Sequence, residues 1–249
     1  MIKIFFLLLL IINIYAQDKK QEVTIGAGPY IQTQPYQGVS NILLPSPVIF
    51  FDNGLFYMRW SRGGIYFLGE KNDDYMWGFS LTAQPRTNEY KASDSKDLRG
   101  MKDKKSSIEA GLAFSAQVDK SYLEVMLLTD ILDRYDSWIV KAELGHDFEL
   151  GKFKFYPSLI AIYQSSDFIN YYYGVDAEEA VTSSHSQYTP NSGIQLGAQT
   201  YIKYPLTKKL SGLINMRVDK LSSQATASPI VVDDYIYSGL VSLIYTFEY

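Results

Sequence analysis

The sequence contains only two histidines, which limits the acid–base chemistry that its side chains can perform. His185 lies in the run Ser183-Ser184-His185-Ser186, and a serine beside a histidine base is the arrangement that activates a hydroxyl nucleophile. A hydrolase that acts on lipid is therefore one hypothesis. The run is rich in Ser and Thr, however, which is typical of a solvated loop. We expect His146 to face lipid, and we predict no catalytic residue.

Paired carboxylates raise the question of a metal site. Asp73-Asp74 and Asp233-Asp234 are adjacent acids, but turns commonly carry such residues because their side chains hydrogen-bond the local backbone. A bound calcium ion needs six or more oxygen ligands, which one pair does not supply. We therefore predict no metal site and no cofactor.

A second set of charged residues lies in the middle of segments that alternate between apolar and polar residues. By phase, they share the polar face, which we expect to point into a lumen. The predicted lumen-facing residues are Glu109, Glu124, Lys141, Glu143, Asp147 and Arg217. They would either pair with one another and fill a narrow barrel or line a path for a cationic solute. We favour the first interpretation.

The elements that would position these residues are strands. In Ser107 to Val118 every second residue is apolar, from Ile108 to Val118, and this period of two is the signature of a β-strand. Similar segments begin at Tyr75, Trp138 and Ile194. Each is about ten residues long, which is the length that crosses a bilayer at a tilt.

The N-terminus has the order of a secretory signal peptide. Lys3 precedes an apolar run from Ile4 to Ile12, and Ala16 offers a cleavage site. The run is too short to span a bilayer as a helix, although an N-terminal anchor is the competing interpretation. We expect residues 1–16 to be removed and residues 17–249 to form one barrel domain. The absence of cysteine excludes a lipoprotein anchor and disulfides.

The amino-acid composition distinguishes between the remaining classes of protein. The chain has 21 Tyr and 13 Phe, and aromatic residues favour both strands and membrane–water interfaces. Its net charge of −4 and its lack of a basic stripe argue against nucleic acid as a partner. No run after residue 16 reaches the length of about 18 apolar residues that a transmembrane helix needs.

Three features favour an outer-membrane barrel over a soluble sandwich. Charged residues occupy the middle of the polar face, tight and long connections alternate, and the chain ends in the alternating aromatic strand Tyr245-Thr-Phe247-Glu-Tyr249. We therefore predict an all-β, closed antiparallel transmembrane β-barrel in the bacterial outer membrane, surrounded by lipid and lipopolysaccharide. With both termini periplasmic, the strand number is even. The twelve predicted strands are 22–32, 42–51, 54–60, 63–70, 74–85, 105–117, 121–131, 137–149, 152–164, 193–204, 208–220 and 235–249.

The same assignment places six connections, most of them long, at the cell surface. They are 33–41, 61–62, 86–104, 132–136, 165–192 and 221–234. Lys91 to Lys105 carries both charges and is expected to form a mobile outer loop, with binding to lipopolysaccharide phosphates as one further hypothesis. Within 165–192, Asp176 is predicted to cap a short helix.

Several motifs also resemble the MipA/OmpV family of outer-membrane proteins across about residues 22–249. The motifs are Pro35-Tyr36-Gln37-Gly38, Pro45-Ser46-Pro47 with Phe50, Tyr171-Tyr172-Tyr173-Gly174-Val175, Ala180, Tyr188 with Gly193, Ser228-Pro229-Ile230-Val231, Gly239-Leu240 and Tyr245-Thr-Phe247. The resemblance implies an outer-membrane barrel. The family is named for a member that scaffolds the lytic transglycosylase MltA and a murein synthase, and it has no established catalytic residues to transfer.

Together these features predict a non-enzymatic barrel with a scaffold or interaction role, whose partners include peptidoglycan-remodelling envelope proteins. Two alternatives stay open. One is a narrow channel for small solutes, which would need an open lumen. The other is a lipid-acting barrel hydrolase, against which the shortage of histidines argues.

Overall fold

The computed structural model describes residues 22–72 and 74–248, so the predicted signal peptide lies outside the described residues. Thirteen strand segments in this part of the chain form one antiparallel sheet. They are β1 (Glu22–Gln32), β2 (Ile42–Asp52), β3 (Phe56–Arg59), β4 (Arg62–Lys71), β5 (Tyr75–Arg86), β6 (Ser107–Val118), β7 (Ser121–Asp130), β8 (Trp138–His146), β9 (Phe148–Leu150), β10 (Phe153–Gln164), β11 (Gly193–Pro205), β12 (Leu210–Lys220) and β13 (Tyr235–Glu248).

The sheet closes on itself because β1 pairs with β13 along most of its length, from Glu22 opposite Glu248 to Gln32 opposite Ser238. β8 and β9 occupy one position in the barrel wall, since both pair with β10. The described residues therefore form a closed twelve-stranded antiparallel barrel, and that prediction is confirmed. Closure pairs the first strand with the last, which matters because unpaired backbone groups in a bilayer cost several kcal/mol each.

Two strand boundaries differ from the sequence prediction. The segment predicted as 137–149 is interrupted at Asp147, whose backbone N–H donates to the carbonyl of Lys120 instead of continuing the ladder. The segment predicted as 54–60 is a strand only over Phe56–Arg59. It ends early because Trp60 adopts a φ of 61°, which turns the chain into a tight hairpin at Trp60 and Ser61.

The phase of the strands agrees with the predicted inward and outward faces. In β13, Ser242 is 5% exposed and Leu243 is 57% exposed, and the same alternation continues to Tyr245. Apolar side chains on the outer face are exposed because that face meets lipid rather than a protein core. The alternation therefore assigns each charged strand residue to a side of the wall.

The two ends of the barrel differ. At one end, which we call the turn end, the strands are joined by tight turns, and Gly54 and Gly151 supply positive φ values of 82° and 62° there. At the other end, the loop end, the connections are long and carry a 3₁₀ helix (Ala92–Asp94) and three short helices, α1 (Ser166–Tyr173), α2 (Ala177–Thr182) and α3 (Ser223–Thr226). Asp176 caps α2 as predicted, because its carboxylate accepts the N–H of Glu179 at 2.8 Å.

No helix among the described residues is long and apolar enough to cross a lipid bilayer.

The expectation that residues 91–105 form a mobile loop is wrong. Leu98 is fully buried, Met101 is 5% exposed, and the Lys102 ammonium lies 2.7 Å from the Asp176 carboxylate. The prediction considered only the charges of this segment. Its two apolar anchors pack it onto the helices of the loop end.

Candidate functional site in the lumen

The loop end of the barrel is closed by an aromatic cap. We define the cap as residues 33–41, 87–106, 131–137, 165–192 and 221–234, which fold over the mouth and pack against the inner wall. Its centre is a cluster of side chains that are at most 4% exposed. They are Tyr36, Tyr90, Tyr135, Phe168, Tyr172 and Tyr173. Inward residues of the wall, such as Met126, Leu128 and Ile162, complete this core.

Hydrogen bonds between segments hold the cap together. The Tyr36 hydroxyl donates to the carbonyl of Tyr172 at 3.1 Å, and the Asn88 amide donates to the Tyr173 hydroxyl at 3.2 Å. Burial of these phenols disfavours their charged form, so desolvation raises the pKa of Tyr173 to about 12 and the pKa of Tyr36 well above its ordinary value. The phenols are neutral at physiological pH, so the aromatic centre of the cap is uncharged.

A buried ion pair joins the cap to the wall. Glu109 is fully buried, and its carboxylate accepts two hydrogen bonds from the Arg86 guanidinium, each 2.8 Å long. The same carboxylate accepts from the Tyr135 hydroxyl of the cap and from the Gln84 amide of β5. The carboxylate of Glu109 is therefore fully compensated, and its hydrogen bond from Tyr135 joins the cap to the wall.

Below the cap, the lumen carries three further charge clusters. In the first, Glu124 accepts from Arg59 at 2.7 Å, from the Ser115 hydroxyl at 2.9 Å and from Arg62. Arg59 also donates to the Tyr66 hydroxyl at 2.6 Å. One buried carboxylate is thus shared by two guanidinium groups.

The second cluster is centred on Glu143. Lys141 lies 3.0 Å from one of its carboxylate oxygens, and the other oxygen accepts from the Tyr122 hydroxyl, the Ser158 hydroxyl and the Gln199 amide. Side chains of four neighbouring strands, β7, β8, β10 and β11, therefore meet at a single carboxylate on the inner face of the wall.

The third cluster is the bidentate pair of Arg217 and Asp219, with distances of 2.6 and 2.7 Å. Asp147 lines the lumen near the turn end and is half-buried. The predicted residues Glu124, Lys141, Glu143 and Arg217 thus all lie in the lumen of the barrel.

Sequence reasoning missed the charged residues that complete these ion pairs, namely Arg59, Arg62, Arg86 and Asp219. Asp219 could have been predicted, because it lies two residues from Arg217 on the same strand and so shares its inward phase. Arg86 follows the predicted end of its strand by one residue. Arg59 and Arg62 flank a hairpin too short for alternation to assign their direction.

These clusters surround a cavity of about 790 Å³ inside the barrel. It extends from Asp52 and Lys203 near the turn end to Arg86 and Asn88 below the cap. A volume of this size falls within the range of roughly 300–1,000 Å³ that is usual for small-molecule sites. Among the described residues, no group of three or more histidines and carboxylates could hold a metal ion.

The two histidines lie outside this cavity. The Nε2 atom of His185 is 2.6 Å from the carbonyl oxygen of Asp97 within the cap, so the ring contacts backbone and not a serine hydroxyl. The Nδ1 atom of His146 is 2.9 Å from the Ser121 hydroxyl on the exposed face of the wall. Within the described ranges, no carboxylate hydrogen-bonds the second nitrogen of His146, so this pair lacks the group that would orient a catalytic base.

Comparison with known proteins identifies the family of the chain. The profile of the family described as "MltA-interacting protein MipA" matches residues 25–247. The chain belongs to this family. It is 28% identical over 228 residues to the MltA-interacting protein of Escherichia coli K12, covering 91% of this chain and 90% of that protein.

A second member of this group of relatives is the outer membrane protein OmpV of Vibrio cholerae. It is 25% identical over 165 residues, covering 66% of this chain and 63% of OmpV. Among solved structures, the COG4313 outer membrane channel of Pseudomonas putida F1 superposes with a TM-score of 0.45 at 12% identity, covering 93% of this chain and 97% of that one. Membership in this family and the closed barrel place the chain in the outer membrane. Neither of the two relatives is named as an enzyme.

Proposed function

We propose that the chain is a non-enzymatic outer-membrane barrel with a scaffold or interaction role in the cell envelope. The observation that carries this proposal is the cap. A solute channel needs a continuous aqueous path, whereas the mouth of this barrel is filled by aromatic side chains of at most 4% exposure. A scaffold works with a filled lumen, and the compensated ion pairs below the cap are in keeping with a structural interior.

The direction of the barrel in the membrane is part of the proposal. We place the cap at the cell surface and the tight turns in the periplasm, since outer-membrane barrels pair long outer loops with short periplasmic turns. The exposed apolar residues of the wall would then contact lipid, and lysines of the cap would lie near lipopolysaccharide phosphates. A relative bears the name MltA-interacting protein, and by analogy we propose a peptidoglycan-remodelling envelope protein as the partner at the turn end.

In-cell photocrosslinking tests this role. A photoreactive residue at Leu206, which is 52% exposed at the turn end, should capture a peptidoglycan-remodelling protein. The matched control is Val181, which is 85% exposed on the cap and should give no such adduct. Adducts from Val181 alone, or no protein adduct from any position of the turn end, would overturn the proposed interaction.

A further inference from the structure

The barrel wall has a gap above the β3–β4 hairpin. β2 pairs with β3 only over Phe50 to Asp52, because β3 is four residues long. Among the described residues, no strand pairs with this side of β2 between Ile42 and Val48. On the other side of the gap, β4 pairs with β5 only as far as Ala83. The unpaired stretches of β2 and β5 therefore face each other across an opening near the loop end.

The edge of β2 is suited to remain unpaired. Because the N–H of Trp60 donates to the carbonyl of Ile49, odd-numbered residues of β2 direct their backbone groups to this side. Pro45 and Pro47 are odd-numbered and carry no N–H. In lipid, an unsatisfied backbone group costs several kcal/mol, so two prolines remove two of the groups that an opening would leave exposed.

The edge of β5, on the other side of the gap, also carries a proline whose backbone faces the gap. The N–H of Asn72 donates to the carbonyl of Tyr75, so odd-numbered residues of β5 direct their backbone groups toward β4. β5 pairs with β6 without interruption up to Arg86, so Pro85 keeps this orientation. Pro85 therefore presents no backbone N–H to the gap. Three prolines on the two edges make pairing with an added strand unfavourable, since each lacks the donor that a ladder needs.

The opening leads from the outer face of the wall to the lumen. Its frame belongs to the lining of the interior cavity and includes Leu44, Ser46, Trp60, Ser61, Arg62 and Pro85. Leu44 points inward and is nevertheless 38% exposed, while the Trp60 indole reaches across to donate to the Ser46 hydroxyl at 3.0 Å. The threshold thus combines the apolar side chains of Leu44, Trp60 and Pro85 with polar side chains that line the interior.

Arg62 sits at this threshold with unused donors. Only its Nη1 atom bonds described residues, Glu124 and Met126. No hydrogen bond runs from its Nε or Nη2 atom to any described residue, and its side chain is 11% exposed toward the cavity. A guanidinium with one free edge fits a carboxylate in a bidentate geometry. Because one such edge is available, the site suits a single negative charge.

We propose that this opening is a lateral binding site for a single-chain amphiphile with a carboxylate head, such as a long-chain fatty acid. The ligand enters sideways from the bilayer. Its head group reaches Arg62 inside the lumen, and its chain lies over Leu44 and between the proline edges. This site is distinct from the proposed contact of an envelope protein at the turn end, so the two proposals succeed or fail separately.

Photolabelling of the full-length protein in phosphatidylcholine vesicles tests the site. The probe is a long-chain fatty acid that carries a diazirine, and adducts are mapped by peptide mass spectrometry. We expect them to concentrate on residues of the opening such as Leu44 and Trp60. Labelling spread over the whole lipid-facing wall, including Leu159 at 67% exposure and Leu243, would overturn the proposal.

Two pairs of variants separate entry from head-group recognition. Ser61→Trp fills the opening and should abolish the enriched labelling, whereas Ser186→Trp, at an exposed position of the cap, should not. Arg62→Gln should weaken probe binding about tenfold, the usual consequence of losing a charge-assisted hydrogen bond, and Arg62→Lys should retain most of it. Arg59 still compensates Glu124 in both Arg62 variants. Gel mobility before and after heating verifies that each variant is folded.

Two further probes test the chemistry of the ligand. The long-chain alcohol should label the opening about tenfold less than the acid, and acetate should not compete. Equal labelling by the alcohol would contradict recognition by Arg62. Competition by acetate would mean that soluble anions reach the site from an end of the barrel, and labelling unchanged in Ser61→Trp would exclude lateral entry.

Discussion

At the scale of single residues, the attachment of the cap to the wall depends on Glu109, whose buried carboxylate accepts a hydrogen bond from Tyr135 of the cap. Replacing it by Gln leaves the Arg86 guanidinium without its counter-charge, and breaking a buried pair costs about 3–5 kcal/mol. We expect a large fall in the free energy of unfolding, measured by urea titration in vesicles. Glu149→Gln is the matched control, because its pair with Lys154 is about half exposed and ion pairs at the surface contribute little to stability. Equal effects of the two changes would show that Glu109 does not hold the cap.

The buried tyrosines predict how the cap responds to alkali. Desolvation raises the pKa values of Tyr36 and Tyr173 in the folded state, so these phenols bind protons more tightly there than in an opened cap. Their contribution to stability is complete below the ordinary pKa of 10 and is lost as the pH rises through the folded values. Ultraviolet titration of phenolate should show an early exposed class and a late class coupled to opening of the cap. If all tyrosines titrate together near the ordinary pKa while the cap stays closed, the prediction is wrong.

At the scale of the element, strand phase could be predicted because lipid and lumen impose opposite polarity on alternate residues. Glu109, Glu124, Lys141 and Glu143 lie on long strands with clear alternation. The hairpin of β3 and β4 was predicted, but the end of β3 was not, since it depends on the positive φ of Trp60, which composition does not reveal. The packing of Leu98 in the cap was equally hidden, because a tertiary contact and not the local charge pattern orders that segment.

The last strand offers a direct test of phase. Leu243→Arg puts a charge against lipid and should cost about 2–4 kcal/mol near the midplane, whereas Ser242→Arg places the side chain in the lumen. We expect a lower outer-membrane yield for Leu243→Arg than for Ser242→Arg, measured by fractionation and heat-modifiable gel mobility. Similar yields, or a worse result for Ser242→Arg, would mean that β13 faces the other way.

At the scale of the whole molecule, the proposed direction in the membrane can be read from accessibility on intact cells. The native sequence has no cysteine, so any label on a single-cysteine variant is attached to the introduced residue. We expect an impermeant maleimide to label Val181→Cys on the cap and to spare Leu206→Cys at the turn end until the cells are opened. Labelling of Leu206→Cys alone on intact cells would invert the assignment.

If the cap closes the barrel, ions do not pass through it, and conductance in a planar bilayer measures this. We expect the full-length protein to insert without conductance steps. A variant in which a short Gly-Ser linker replaces residues 166–190 should open steps, because the mouth then leads to the cavity of about 790 Å³. Stable conductance of the full-length protein, equal to that of the variant, would contradict the claim.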